Sequence, residues 1–167
     1  MKTSIYIVTL LISTLLLTPT VFAADSEVIW TDYKSYRDIN EGNDGGKQFR
    51  ERTFKDLEKH FATLAATLPE GQTLKIDVTD VDLAGDTHIG GINRMRIVKH
   101  MYSPRMNFSY QLFDADDTVI KSEDVVVKDM NFMSGNSLKY RNKSLGYEKK
   151  MLEDWFDKTF KELIMSK

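Results

Sequence analysis

The chain has 167 residues, a formal net charge of −2, 41% hydrophobic and 29% charged residues, and no cysteine. Basic and acidic residues are interspersed, which excludes the clustered Lys/Arg excess of a nucleic-acid footprint, and the hydrophobic content excludes global disorder. The missing cysteine excludes disulfides, thiolate nucleophiles, zinc–thiolate sites and a lipidated-cysteine anchor.

The first 24 residues differ in composition from the rest. Lys2 gives a short positive end, residues 5–17 are almost uninterruptedly apolar, Pro19 breaks the run, and Val21-Phe22-Ala23 follows. This is the three-part pattern of a secretory signal, with cleavage expected after Ala23 or Ala24. A membrane anchor is the competing reading, but the strongly apolar stretch is short and a cleavage-like site follows at once. The expected organisation is a signal peptide over 1–23 and one domain over 24–167. The domain of roughly 140 residues is large enough to bury one core without covalent staples. No later segment is long and apolar enough for insertion into a membrane after cleavage.

In the mature part, residues 26–30 read as a short strand. Residues 31–47 have loop composition, including Asn43-Asp44-Gly45-Gly46. From Phe49 onward the pattern is helical: Phe54, Leu57, Phe61, Leu64 and Leu68 form one stripe, stopped by Pro69-Glu70-Gly71. Leu74, Ile76 and Val78 then alternate with Lys75, Asp77 and Thr79 as a half-buried strand. Residues 80–91 read as a loop, and 94–101 as extended. Met106, Phe108, Tyr110 and Leu112 alternate with polar residues, the turn Asp114-Ala115-Asp116-Asp117 follows, and 119–127 run back as a hairpin. Residues 147–164 close the chain as an amphipathic helix, with Asn142 or Ser144 as the expected N-cap. The expected fold class is α+β: a single antiparallel sheet of about five strands with two amphipathic helices packed on one face.

Three constellations bear on chemistry. Asp80, Asp82, Asp86 and His88 lie close together, and the acids at two-residue spacing project to one side of a strand. Such a set suits a hard divalent cation, calcium above all. Asp80, Asp82 and Gly85 match three positions of an EF-hand loop, but Ala84 and Gly91 stand where ligands are required and the flanks are strands. The EF-hand is therefore rejected, and turn-forming acids are the competing and favoured account. Arg94 and Arg96 lie on one face of the next extended segment. They suit bidentate capture of a carboxylate or phosphate, together with Asp129, but internal pairing with Asp80, Asp82 or Asp129 is the favoured account. His60, His88 and His100 match no zinc spacing. No Gly-x-Ser-x-Gly elbow or phosphate-binding glycine loop occurs.

Several stretches together carry a resemblance: residues 74–85 (LKIDVTDVDLAG), 94–98 (RMRIV), 104–113 (PRMNFSYQLF), 127–132 (VKDMNF) and 147–156 (YEKKMLEDWF). The chain resembles the bacterial exported family called domain of unknown function 3016. The Asp-Val-Asp-Leu-Ala-Gly stretch and the closing helix are the most specific parts. The resemblance implies a Gram-negative exported protein and no particular activity. With no nucleophile–base constellation in the sequence, the expectation is a non-enzymatic periplasmic domain that binds a partner protein or small ligand, or serves an envelope accessory role. The alternative is a metal-dependent hydrolase or calcium-binding protein centred on the acidic loop.

Overall fold

The computed structural model describes residues 23–39, 46–88, 95–134 and 138–166, with backbone alone at 87, 88 and 95. The expected signal segment, apart from Ala23, and Arg94 lie outside the described residues, as does the side chain of His88. Among the described residues no helix is long and apolar enough to cross a membrane.

Strand β1 (Asp25–Trp30) leads through a 3-10 turn into helix α1 (Gly46–Ala65), and β2 (Thr73–Asp82) follows. After two short strands, β3 (Asp86–His88) and β4 (Met95–Ile97), the hairpin β5 (Arg105–Phe113) and β6 (Val119–Lys128) precedes helix α2 (Gly146–Met165). The main sheet has four strands in the order β1-β2-β5-β6.

The expected α+β class holds, but the sheet departs from the sequence reading in two respects. It is mixed: β1 runs parallel to β2, with Val28 opposite Ile76, while β2–β5 and β5–β6 are antiparallel. The cause is the connection between β1 and β2. A 20-residue helix lies between them, and it returns the chain to the end where it began, so the next strand starts in the same direction. The sheet also has four strands instead of about five. The segment after Arg94 pairs only with β3, as a separate two-stranded ribbon. β5 takes one edge of β2 along its whole length, and β1 takes the other over residues 73–78.

Both helices cover one face. Leu74, Ile76 and Val78 of β2 and Met106, Phe108, Tyr110 and Leu112 of β5 point into a core shared with Leu57, Phe61 and Leu64 of α1 and Leu152, Phe156 and Phe160 of α2. The Phe108 ring meets Phe61 from α1 and Trp155 from α2, at centroid distances of 6.2 and 4.8 Å. Trp30 stacks on Phe54 at 4.0 Å, anchoring α1 to the edge strand. The helices are also tied by polar contacts one turn apart on α1: Asp56 accepts from Lys149 Nζ (2.6 Å), and His60 Nε2 donates to the Lys149 carbonyl (2.8 Å).

The start of α2 also differs from expectation. Neither Asn142 nor Ser144 caps it; Leu145, left-handed at φ 52°, holds the N-cap position without a side-chain hydrogen bond. Gly146 follows because a Cβ there would lie 2.5 Å from the Tyr140 carbonyl oxygen.

Candidate functional site

Where β2 ends, Leu83, Ala84 and Gly85 form a turn whose three N–H groups all find partners. The Leu83 N–H donates to Asp38 Oδ2 (3.1 Å), the Ala84 N–H to Glu148 Oε1 (2.7 Å), and the Gly85 N–H to the Tyr102 carbonyl (3.0 Å). Arg96 Nη1 donates to Asp38 Oδ2 (2.5 Å) and to the Gly85 carbonyl (3.0 Å). Gly85 sits at φ +92°, and a Cβ on it would come within 2.9 Å of the Ile97 carbonyl oxygen. Glycine is therefore needed both for the left-handed turn and for the close approach of β4.

Two buried carboxylates thus grip successive N–H groups of one turn. Asp38 is 5% exposed and Glu148 3%. Burial drives the Glu148 carboxyl above its ordinary range; the Ala84 N–H, its own N–H and the Arg96 charge pull it down, and the Asp38 charge pushes it up. As the third residue of α2, Glu148 also satisfies the helix's first turn, the role that its N-cap leaves vacant.

This network floors a cavity of about 580 Å3. Leu83, Ala84, Arg96 and Glu148 line it from below, and Phe49, Val98, Phe132, Tyr140 and Tyr147 supply apolar and aromatic wall. Phe132 and Tyr147 meet edge to face at 4.8 Å, and Tyr140 is braced against His60 at 5.9 Å. Arg141, Lys143, Lys150 and Asp129 add charged groups to the lining. A concave space of this size, with aromatic and aliphatic side chains beside several charged groups, has the form of a small-molecule pocket.

A model of the family described as protein of unknown function (DUF3016) matches residues 24–158. The chain belongs to that family. No curated protein and no solved structure matches it. In this member of DUF3016 the two stretches that carried the resemblance most specifically are joined at the cavity floor: Ala84 belongs to one and Glu148 to the other.

The residues singled out from sequence divide between two places. Arg96 and Asp129 both line the cavity. Arg96 pairs with Asp38 instead of the acids expected, and Asp129 Oδ1 accepts from the Asn131 N–H (2.9 Å). The acidic set lies elsewhere. Asp80 accepts from Arg105 Nη2 (2.7 Å) and from the Arg37 N–H (3.1 Å). Asp82 lies 3.8 Å from Arg37 Nε. Burial raises the Asp82 pKa, the nearby Arg37 opposes the rise, and the Asp38 charge adds to it. Asp82 and Asp86 share a polar cleft with Arg37, Arg105 and Lys128. Among the described residues no three His or acidic side chains are grouped to hold a metal ion.

Sequence reasoning passed over Asp38 and took Glu148 for a plain helix start. Asp38 falls in a polar loop with no periodicity; the available signal was the large side chains of Tyr36 and Ile39 on either side, which the structure buries. For Glu148 the signal was an acid in the first turn of a helix lacking a strong cap residue just before it.

Proposed function

We propose that this chain is an exported, periplasmic binding domain without catalytic activity of its own, and that the cavity at the start of α2 is the seat of a small ligand. The observation that carries the reading is the cavity itself: a space with four aromatic side chains in its lining and a hydrogen-bonded polar network of Asp38, Arg96, Glu148 and the 83–85 backbone at its edge. Its floor carboxylates are engaged by backbone N–H groups and Arg96, which suits rigid support of a pocket better than proton transfer. Export rests on the tripartite composition of residues 1–23.

Thermal unfolding of the processed protein against panels of amino acids, sugars, phosphates and acyl carboxylates tests binding. A ligand held only by the native state raises Tm by mass action. At least one class is expected to do so, and Leu145→Trp, which fills the cavity, should abolish the rise. No stabilising class, combined with turnover in a hydrolase screen, would overturn the reading. N-terminal sequencing of the periplasmic fraction tests export: the chain should begin at Ala24 or Asp25, and an intact Met1 would contradict it.

A further inference from the structure

The charges and walls of the cavity narrow the chemistry of its occupant. Four cations line it (Arg96, Arg141, Lys143 and Lys150) against two acids, Asp129 and Glu148. Not all of these are available. Arg96 is held by Asp38, Lys150 pairs with Asp154, and Glu148 holds the Ala84 N–H. Among the described residues the Arg141 side chain makes no hydrogen bond or ion pair and Lys143 has no carboxylate partner, its Nζ lying 5.6 Å over the Tyr140 ring. Among the described residues the Asp129 carboxylate is engaged only by the Asn131 N–H, so the charge left over is two cations against one acid, net positive, and the two cations are exposed and two residues apart along the chain.

Depth has the opposite character. Leu83, Ala84 and Phe132 are buried, Phe132 meets Tyr147 edge to face, and Leu145 and Val98 line the same space. The one buried charged group facing that depth from α2 is a carboxylate, which repels an anionic head and leaves an apolar body as the better neighbour.

We propose that the cavity takes a small amphipathic oxyanion, its carboxylate or phosphate head at Arg141 and Lys143 and its apolar body against Phe132, Tyr147 and Leu83. This deepens the binding-domain reading and rests on it. Two flexible cations at a solvent edge suit an oxyanion head, and the aromatic wall suits an alkyl or aryl body.

Calorimetry with octanoate, octyl phosphate, octanol, octylammonium and acetate, each below its micelle concentration, tests the assignment. Octanoate or octyl phosphate should bind about tenfold or more tightly than octanol, and the tighter of the two identifies the head. Acetate should bind about tenfold or more weakly than octanoate, because it lacks the body. The double variant Arg141→Gln, Lys143→Gln lies on the surface and should fold normally. It should lose about tenfold in affinity for the anions and none for octanol. Equal binding of octanol, tighter binding of octylammonium, equal binding of acetate, or an unchanged double variant would each overturn the assignment while leaving a ligand-binding cavity in place. Failure of every probe, together with a panel in which nothing raises Tm, would overturn the binding reading as well.

Discussion

Glu148 concentrates the physical argument at the scale of single residues, because its carboxylate holds a buried N–H while being removed from water itself. Glu148→Ala would leave the Ala84 N–H without an acceptor, at a cost of about 1–3 kcal/mol in urea unfolding. Glu148→Gln keeps a carbonyl oxygen for that N–H and should cost less. The sign of the pH effect follows from the raised pKa. Below 4.5 both folded and unfolded states are protonated; above it the unfolded state ionises first, so stability falls as pH rises toward the folded-state value. Glu148→Gln should remove that fall. His60 acts in the opposite sense. Burial lowers its pKa from 6.5, the bond to the Lys149 carbonyl and the Glu153 charge oppose this, and Lys149 and Lys139 reinforce it. Its contribution is full above 6.5 and is lost as pH falls below, because the unfolded chain takes up the proton first. Unfolding free energies of wild type, Glu148→Gln and His60→Gln from mild acid to neutrality separate the two; a Glu148→Gln curve parallel to wild type would contradict the account. Gly85→Ala combines an unfavourable φ with a clash at the Ile97 carbonyl, and should destabilise by about 1–3 kcal/mol. Little loss in urea unfolding would show that the turn can relax.

Among the elements, β2 explains both what was legible and what was not. Leu74, Ile76 and Val78 announce an inward face by simple alternation, and the structure places them there. Continued counting by twos would send Asp80 and Asp82 inward too. A bulge between Val78 and Asp80 resets the phase, so that Val81 and Leu83 enter the core and both acids turn to the opposite face. There Arg105 and Arg37 meet them. Residue order gives no sign of where a bulge falls, nor that these arginines, one on β5 and one in the loop after β1, would arrive beside the acids. Millimolar calcium is accordingly expected to leave Tm unchanged; a rise that disappears in Asp82→Ala would restore the cation site. The direction of β1 was hidden for a related reason. Its short alternation fits either edge pairing, and only the helical crossover of α1 makes it parallel.

At the scale of the whole molecule, the helix stripes, the hairpin and the class were readable because each depends on local periodicity: Leu57 and Phe61 on α1, Phe108 and Tyr110 on β5, Phe156 and Phe160 on α2. The cavity was not, because it is assembled from five separate segments, contributing Phe49, Leu83, Arg96, Phe132 and Tyr147 in turn. No periodic signal links such positions; only the closing of β2 against α2 through Ala84 and Glu148 brings them together. The account depends on that assembled space being occupied in solution. Amide chemical shifts of the labelled mature protein during titration with octanoate test this most directly. Signals of Ala84, Arg96, Phe132, Arg141 and Tyr147 should move together and saturate, while Lys75, Asp77 and Ser109 on the opposite sheet face stay still. Shifts gathered on that opposite face, or none at saturating ligand, would contradict it.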